Sequence, residues 1–459
     1  MKSQALTTQP TEADRDDAWL VWALVVIAFL LRVGAIVVLQ AWNHPNAMEH
    51  APIAYHLVHG EGFAFRDWGY FGPSSVQSPP YPALLAGLFL VLGVDSPGAY
   101  FAALLINAAL GALTVWGVHR MTRAWGGSPR VAMAAAVLFA LWPTQVYLVT
   151  HAQAIALITF IVVFCLHLFH RALDTGRAWP WVCFSGLGCL GMLTEPVLLP
   201  PMALTGLLIF VWPAQSLTFR GRLRNAAILL IAALLIVGPW SLRNRQVHGQ
   251  WVPVKSTFWV NVWKANNPHA TGTDRLPLSD EQRERLGEHS VLSVDEIARD
   301  PQFDARRQYD ALTPEQKAQL LNQPEVQREK VFQAFAMDWI KANPSRYLEL
   351  CGIRFLKTVW IDWDNPKAHN LVFVVSRAAL IVLAGIGLIL ALMRRWRLGY
   401  AAFLVLGFMA LYTLTITAAR FSLPLEPIAL ALSALSLVTL YEWIKPDQGA
   451  RSEEPGARS

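Results

Sequence analysis

Residues 226–242 read AAILLIAALLIVGPWSL and run directly into Arg243-Asn244-Arg245. A stretch without one charge, close to the ~20 residues that a ~30 Å hydrocarbon core demands, is solvated by lipid and has to close its own backbone hydrogen bonds as a helix. Gly238-Pro239-Trp240 mark where it stops: proline interrupts the ladder and tryptophan favours the membrane boundary. Similar apolar windows lie at residues 19–40, 99–118, 131–149, 152–170, 180–195, 197–213, 369–391, 399–418 and 423–443. The chain of 459 residues is 54% hydrophobic and 15% charged, with a mean hydropathy of +0.36. It is expected to be an all-α polytopic membrane protein with about ten transmembrane helices. The short pair at 180–195 and 197–213 is split by Pro196, so one kinked or re-entrant element is the competing count.

Lys and Arg accumulate on the cytoplasmic side of a membrane protein. Here Arg120, Arg123 and Arg130, then Arg171 and Arg177, then Arg220, Arg222 and Arg224, then Arg394, Arg395 and Arg397 occupy alternate connections. With both termini cytoplasmic, residues 41–98, 149–151, 243–368 and 419–422 lie outside. The expected organisation is a cytoplasmic tail (1–18), a membrane module (19–242) with the external loop 41–98, an external helical insertion (243–368), a second membrane module (369–443) and a tail (444–459). The first apolar run lacks a small-residue cleavage pattern and reads as a retained span of a cell (inner) membrane protein. The net charge of +6 is then mostly a topology signal and gives a nucleic-acid role little support. Cys165, Cys183 and Cys189 fall in spans and Cys351 stands alone outside, so no disulfide framework or zinc site is suggested.

Inside the insertion, Ser279-Asp280 and Thr313-Pro314-Glu315 are helix-start signals. Val331, Phe335, Ala336, Trp339 and Ile340 repeat at helical spacing until Asn343-Pro344, and a second helix is expected through Trp360. The first external loop carries Glu49, His50, Arg66 and Asp67 before Ser78-Pro79-Pro80-Tyr81-Pro82, the pattern of a site built against the membrane surface. After the seventh window come Arg243-Asn244, Val252-Pro253 and Asn261-Val262-Trp263-Lys264-Ala265-Asn266-Asn267-Pro268. Arginine offers a permanently charged fork for phosphate, and asparagine amides pair with sugar hydroxyls without adding charge. An interfacial anchor followed by an ordinary turn is the plainer alternative.

These motifs resemble those of the polyprenyl-phosphate-sugar-dependent membrane glycosyltransferases. This C-type group includes the protein mannosyltransferases and the lipid A aminoarabinose transferases. Residues 50–63 resemble the group's first external loop, Pro79-Pro80-Tyr81-Pro82 its proline motif, Glu325 through Arg354 its late external helices, and Arg420-Phe421-Ser422-Leu423-Pro424-Leu425-Glu426-Pro427 its arginine-proline motif. The resemblance implies transfer of a sugar from a polyprenyl-phosphate donor to a lipid, glycan or protein acceptor at the external face, with inversion. It also implies a carboxylate base in the first loop. The group's aspartate position is Asn46 here and its aromatic position His50, which leaves Glu49 as the expected base, or as a helix cap. Arg420 and Arg243 are expected on phosphate, with snorkelling or headgroup anchoring as alternatives. Asn244, Asn261, Asn266, Asn267 and His50 are expected around the substrate. Trp251, Trp259 and Trp263 are available to stack on a sugar. Glu195 stands before Pro196 where the group more often has arginine, and reads as a second acid, a recogniser of a substituent or an ion-pair partner. His151-Ala152-Gln153 is neutral where relatives are commonly acidic. The loop histidines His44, His50, His56 and His59 match no zinc spacing, so no metal or other cofactor is assigned, although a divalent cation is compatible with the group. The rival reading is a non-catalytic or transport protein handling lipid-linked glycans. A transporter would instead show paired interrupted spans and midplane charge.

Overall fold

The structure, a computed structural model, describes residues 12–213, 217–273, 312–364 and 370–445. The expected helix start at Ser279-Asp280 lies outside the described residues. Helices dominate. The first half comprises α1 (Glu12–Val38), α2 (His50–Val58), α3 (Pro80–Leu92), α4 (Pro97–Trp125), α5 (Pro129–Leu141), α6 (Pro143–Tyr147), α7 (Ile155–Thr175), α8 (Ala178–Thr194) and α9 (Leu199–Val211). Then follow α10 (Phe219–Ile236), α11 (Gly238–His248), α12 (Phe258–Lys264), α13 (Pro314–Leu320), α14 (Glu325–Ala342), α15 (Pro344–Val359), α16 (Leu371–Met393), α17 (Gly399–Leu414) and α18 (Glu426–Ile444).

Among the described residues, five helical segments are long and apolar enough to cross a membrane, or up to seven if each of two bent pairs counts as one span. The bends have causes in the sequence. Between α5 and α6 the axis turns by 52° at Trp142-Pro143, and between α10 and α11 by 43° at Gly238-Pro239. The windows at 180–195 and 197–213 form separate helices, α8 and α9, joined through a 3₁₀ turn at Pro196–Leu198. Hydropathy did not single out α3, an apolar helix whose Leu90 and Val91 are exposed on the protein surface. At about 1.5 Å per residue, its 13 residues extend about 20 Å, less than a hydrocarbon core.

α4 is the hub, packing against α1, α3, α5 and α7, while α18 packs against α16 and α5. Arg32 on α1 is fully buried and donates to the carbonyls of Phe139 and Ala140 at the end of α5. Pro143 has no N–H to offer the Phe139 carbonyl, so the guanidinium compensates for the broken ladder. Gly111 makes room for it: a Cβ there would lie 2.7 Å from Arg32 Nε.

The basic connections converge at one end of the bundle. Arg224 donates to the Gly176 carbonyl, Arg397 pairs with Asp174, the Arg397 amide bonds the Trp125 carbonyl, and Arg130 approaches Glu442. The intervening loops gather at the other end. Thr313 caps α13 in a reciprocal box with Gln316, α14 stops at Asn343, and α15 runs to Val359. α14 buries Phe332 and Ala336 against Val262 and Trp263 of α12. The first loop also contains a hairpin that the sequence pattern did not announce. Ala64–Asp67 (β1) pairs antiparallel with Tyr70–Pro73 (β2), and Trp68 and Gly69 form its tight turn with φ of 51° and 77°.

Candidate active site

Glu49 ends an irregular segment in which Asn46 and Met48 both take left-handed φ values, 45° and 49°. Asparagine tolerates that region better than most residues, and the Asn46 carbonyl is fixed by Gln153 Nε2 at 2.9 Å. The next backbone tie is Ala152 N to the Pro45 carbonyl at 2.7 Å, so the His151-Ala152-Gln153 stretch splints the turn before Glu49.

Glu49 precedes α2, yet its side chain makes no capping bond to that helix. Gln77 Nε2 instead donates to Glu49 Oε2 at 3.1 Å. Burial alone would raise the Glu49 pKa. The residue's own backbone amide, Gln77 and Lys264 oppose it, and the carboxyl is held below its usual range. His50 packs against the Tyr81 ring with centroids 5.1 Å apart. Burial, then Lys255 and Arg420, depress its pKa to about 3 against the opposing pull of Glu49, so at neutral pH it is an uncharged imidazole. The resulting set is an ionised carboxylate beside a neutral ring, in the field of cations from three other segments.

Those cations are Lys255, Lys264 and Arg420. Lys255 also reaches Glu195 Oε1 at 3.0 Å. Glu195 and Arg420 both act electrostatically on Tyr412, whose ring stacks on Phe421 at 4.7 Å. Arg420 is partly exposed in the 3₁₀ helix Ala419–Leu425, with its guanidinium carbon 5.5 Å from the Phe421 ring centroid. The sequence residues Glu49, His50, Glu195 and Arg420 are thus brought together. Lys255 was not anticipated, because a lysine in a membrane protein's loop has no local pattern separating function from topology. Lys264 lies within the Asn261-to-Pro268 motif, where the asparagines rather than the lysine suggest substrate chemistry.

Other expected site residues are spent on architecture. Arg243 donates to the carbonyls of Ser74 and Phe63 and to Asn244 Oδ1, and lies over the rings of Phe63 and Trp240. It staples the first loop to α11. Asn244 is fully buried, its Nδ2 donating to the Val252 and Val254 carbonyls and its Oδ1 accepting from Ser75 Oγ. Asn266 Nδ2 donates to the Val262 carbonyl while Oδ1 accepts from Arg354. Asn267 holds the carbonyls of Trp263 and Lys264 and the His269 amide. The side-chain N–H groups of these three amides are all donated to backbone carbonyls, which leaves none to donate to a sugar. Asn261 is half-buried on α12, and its side-chain amide takes no hydrogen bond among the described residues.

Two acids, missed as site-builders, tie the loop segments at this end together. Glu325 accepts from Ser74 Oγ at 2.6 Å, the Ser75 amide at 2.8 Å and Ser256 Oγ, and burial raises its pKa despite these donors. Glu329 accepts the amides of Trp259 and Val260 at the start of α12, and burial pushes its pKa up to about 7. Arg328 holds Asp67 at 2.8 Å, and Arg354 bridges the Ala265 and Thr413 carbonyls. Among the described residues no three His, Cys, Asp or Glu side chains form a metal-ligating group. His56 bonds Glu61 and His59 bonds the Tyr55 carbonyl.

No family model matches the chain, and no curated protein matches it. Solved structures do. The oligosaccharyltransferase AglB of Archaeoglobus fulgidus, in complex with an inhibitory peptide and a dolichol-phosphate, superposes with a TM-score of 0.50 at 16% identity, covering 96% of this chain and 52% of its own. Its apo form gives 0.50 and 16%, with coverages of 92% and 51%. ArnT of Cupriavidus metallidurans bound to undecaprenyl phosphate gives 0.39 and 13%, with coverages of 94% and 80%. The chain spans about half the length of AglB. Its fold is similar to that of the oligosaccharyltransferase AglB.

Proposed function

We propose that the chain is a membrane glycosyltransferase that moves a sugar from a polyprenyl-phosphate carrier to a hydroxyl of a lipid, glycan or protein acceptor at the external face, with inversion. One observation carries the reading: a carboxylate held ionised, Glu49, shares a site with Lys255, Lys264 and Arg420, although the four come from separate segments. Glu49 removes the proton as the acceptor oxygen bonds to the anomeric carbon, and the bond from that carbon to the phosphate oxygen breaks with its electron pair on phosphate. Arg420 and the two lysines stabilise that charge, which grows only as the bond breaks. The fold shared with AglB, solved with a dolichol-phosphate, supports a dolichol-phosphate-like carrier. Arg243, Asn244, Asn266 and Asn267 serve by fixing the walls of the site, and Asn261 is the amide left to meet the sugar.

Purified protein with Glu49→Gln is expected to lose transfer by ~10²–10⁴-fold, the usual worth of a general base, while still binding undecaprenyl phosphate. Mass spectrometry of glycolipids from a deletion strain supplies the acceptor, which accumulates lacking one sugar. Full activity in Glu49→Gln removes Glu49 from the mechanism. Inactive wild-type protein across a panel of donors and acceptors favours a non-catalytic carrier-binding role.

A further inference from the structure

On the glycosyltransferase reading, on which this inference rests, we propose that Gln77 is a positioning and specificity residue of the transfer reaction. Its amide N–H aims Glu49, and its carbonyl Oε1 accepts a hydrogen bond from a substrate hydroxyl that adjoins the reacting one.

An ionised carboxylate only accepts, so the Gln77 amide turns Nε2 toward Glu49 Oε2, 3.1 Å away. That choice fixes where the carbonyl goes. Gln77 Oε1 is buried and has no hydrogen-bond partner among the described residues. His50 Nδ1, on the residue after Glu49, is in the same condition. A buried acceptor without a donor is destabilising, and a fold that keeps one beside a reactive carboxylate keeps it for a ligand.

The backbone on both sides of Gln77 is pinned. Ser74 Oγ and the Ser75 amide donate to Glu325 at 2.6 and 2.8 Å, and the Ser74 carbonyl accepts from Arg243. The Ser75 carbonyl accepts the Ser256 amide at 2.9 Å. Beyond Gln77, Ser78 Oγ donates to the Thr194 carbonyl at 2.6 Å, and Pro79 and Pro80 lead into α3. A side chain carried on so fixed a segment holds its aim before substrate arrives.

The ligand chemistry follows from the acceptor atoms and the field around them. Lys255, Lys264 and Arg420 bear electrostatically on Glu49 or His50, which draws phosphate to the cations and opposes a metal ion at Gln77. An ionised phosphate oxygen has no proton to donate to Oε1. A hydroxyl has one, and it can also meet His50 Nδ1 as donor or acceptor, whichever tautomer the ring takes. Gln77 Nε2 and Oε1 share one carbon, so this hydroxyl neighbours the oxygen that Glu49 deprotonates. It is either a second hydroxyl of the acceptor or one on the transferred sugar.

Membranes of the deletion strain, which hold native donor and accumulated acceptor, serve as substrate for the purified full-length chain, with product read by mass spectrometry across a range of pH. Q77L should transfer on the order of a hundred-fold more slowly, the cost of a misplaced group. Activity falls as acid protonates Glu49, and Gln77 is among the groups that, against burial, hold that carboxyl below its usual range. The acid limb of Q77L should therefore move to higher pH, and that of Q77E, which sets a second carboxyl against Glu49, should move further. The Tm of Q77L should not fall, because the orphan acceptor leaves with the amide; a purely structural Gln77 predicts a lower Tm and an unmoved limb. Should Q77L fail to fold, Q77M carries the same expectations. Bare undecaprenyl phosphate, which has no sugar hydroxyl, should bind Q77L and wild type equally. A raised KM for the donor assigns the hydroxyl to the sugar, and a raised KM for the acceptor assigns it there. Wild-type rates or an unmoved limb in Q77L, with Glu49→Gln inactive, overturn this proposal alone. An active Glu49→Gln overturns the glycosyltransfer mechanism and this role with it. Wild-type activity lost to EDTA and restored by a divalent cation, but not by buffer, gives Oε1 to a metal ion and overturns the hydroxyl contact.

Discussion

Arg377→Met removes the cation at the joint between the membrane helices and the segment that carries Arg420. On α16, Arg377 donates to the carbonyls of Thr358, Val359 and Trp360, which end α15 without helical partners, and to Glu426 Oε1 at 3.1 Å. Glu426 opens α18 directly after the 3₁₀ helix of Arg420, and also accepts from Thr144 and from Gln145 at 2.8 Å. The two side chains are 8% and 1% exposed, so solvent screening gives little relief. Removing one partner of a buried pair costs ~3–5 kcal/mol, because the other charge is left stranded. The freed carbonyls place this case toward the upper end. At ~2–4 °C per kcal/mol for a domain of ordinary size, and less for a larger chain, Tm should fall by roughly 10 °C. The assay is tryptophan fluorescence of the detergent-solubilised protein, heated at one fixed scan rate since unfolding of such chains is often irreversible. The double variant R377M/E426L should melt above R377M alone, because it also removes the stranded carboxylate. If R377M melts within about 2 °C of wild type, or the double variant loses the sum of the two single losses, the pair does not brace the joint.

Two further outcomes can be checked in the same apparatus. Glu329 has its pKa raised to about 7 and His50 its pKa lowered to about 3, so their contributions to stability run in opposite directions. The Glu329 contribution is full below its ordinary carboxyl pKa near 4.5 and is lost as pH rises through 7; the His50 contribution is full above its ordinary 6.5 and is lost as pH falls toward 3. Between pH 7 and 4.5, wild-type Tm should therefore change less than in either variant: Glu329→Gln should make acidification more damaging and His50→Gln less, and parallel curves for all three would refute both assignments. Gly111→Val should cost ~1–3 kcal/mol by driving Arg32 off the α5 carbonyls, read as a lower Tm with unchanged oligomeric state; a neutral result means the guanidinium can relocate.

Legibility followed the range over which each feature is determined. Spans, proline bends and the Thr313 cap depend on neighbours within one or two turns, and the chain spells them out. The hairpin at 64–73 does not depend on such neighbours: Trp68 occupies a turn position that usually selects Asn or Gly, held there by the Asn322 amide on its carbonyl and by Arg328 on Asp67. Arg243 and Arg420 look equivalent in sequence, both following or preceding apolar runs. Only tertiary packing distinguishes a guanidinium consumed by the Ser74 and Phe63 carbonyls from one that stays partly exposed next to His50. The Asn-rich segment likewise suggested sugar chemistry from composition, whereas three of its and its neighbour's amides hold backbone. Glu325 and Glu329 were hidden by their setting in a charged, helical stretch, where a carboxylate ordinarily faces water.

Glu195 decides between two ways of using the same charges. Its carboxylate is 39% exposed and Lys255 only 10%, so their 3.0 Å pair is partly screened and is worth at most ~1 kcal/mol. A phosphate arriving at Lys255 and Arg420 competes with that carboxylate for Lys255 and is repelled by it. If Glu195 is a structural partner, Glu195→Gln removes the competitor, and undecaprenyl phosphate should bind up to about five-fold more tightly, the equivalent of ~1 kcal/mol. If it recognises an amino or hydroxyl substituent of the sugar, the bare carrier should bind as before while the sugar-loaded donor weakens by ten-fold or more, since a charge-assisted hydrogen bond is worth ~1.5–3 kcal/mol. Isothermal titration of the two ligands against both proteins separates the cases by sign. Weaker binding of the bare carrier in Glu195→Gln fits neither, and would mean that Lys255 loses its position when its anchor is gone.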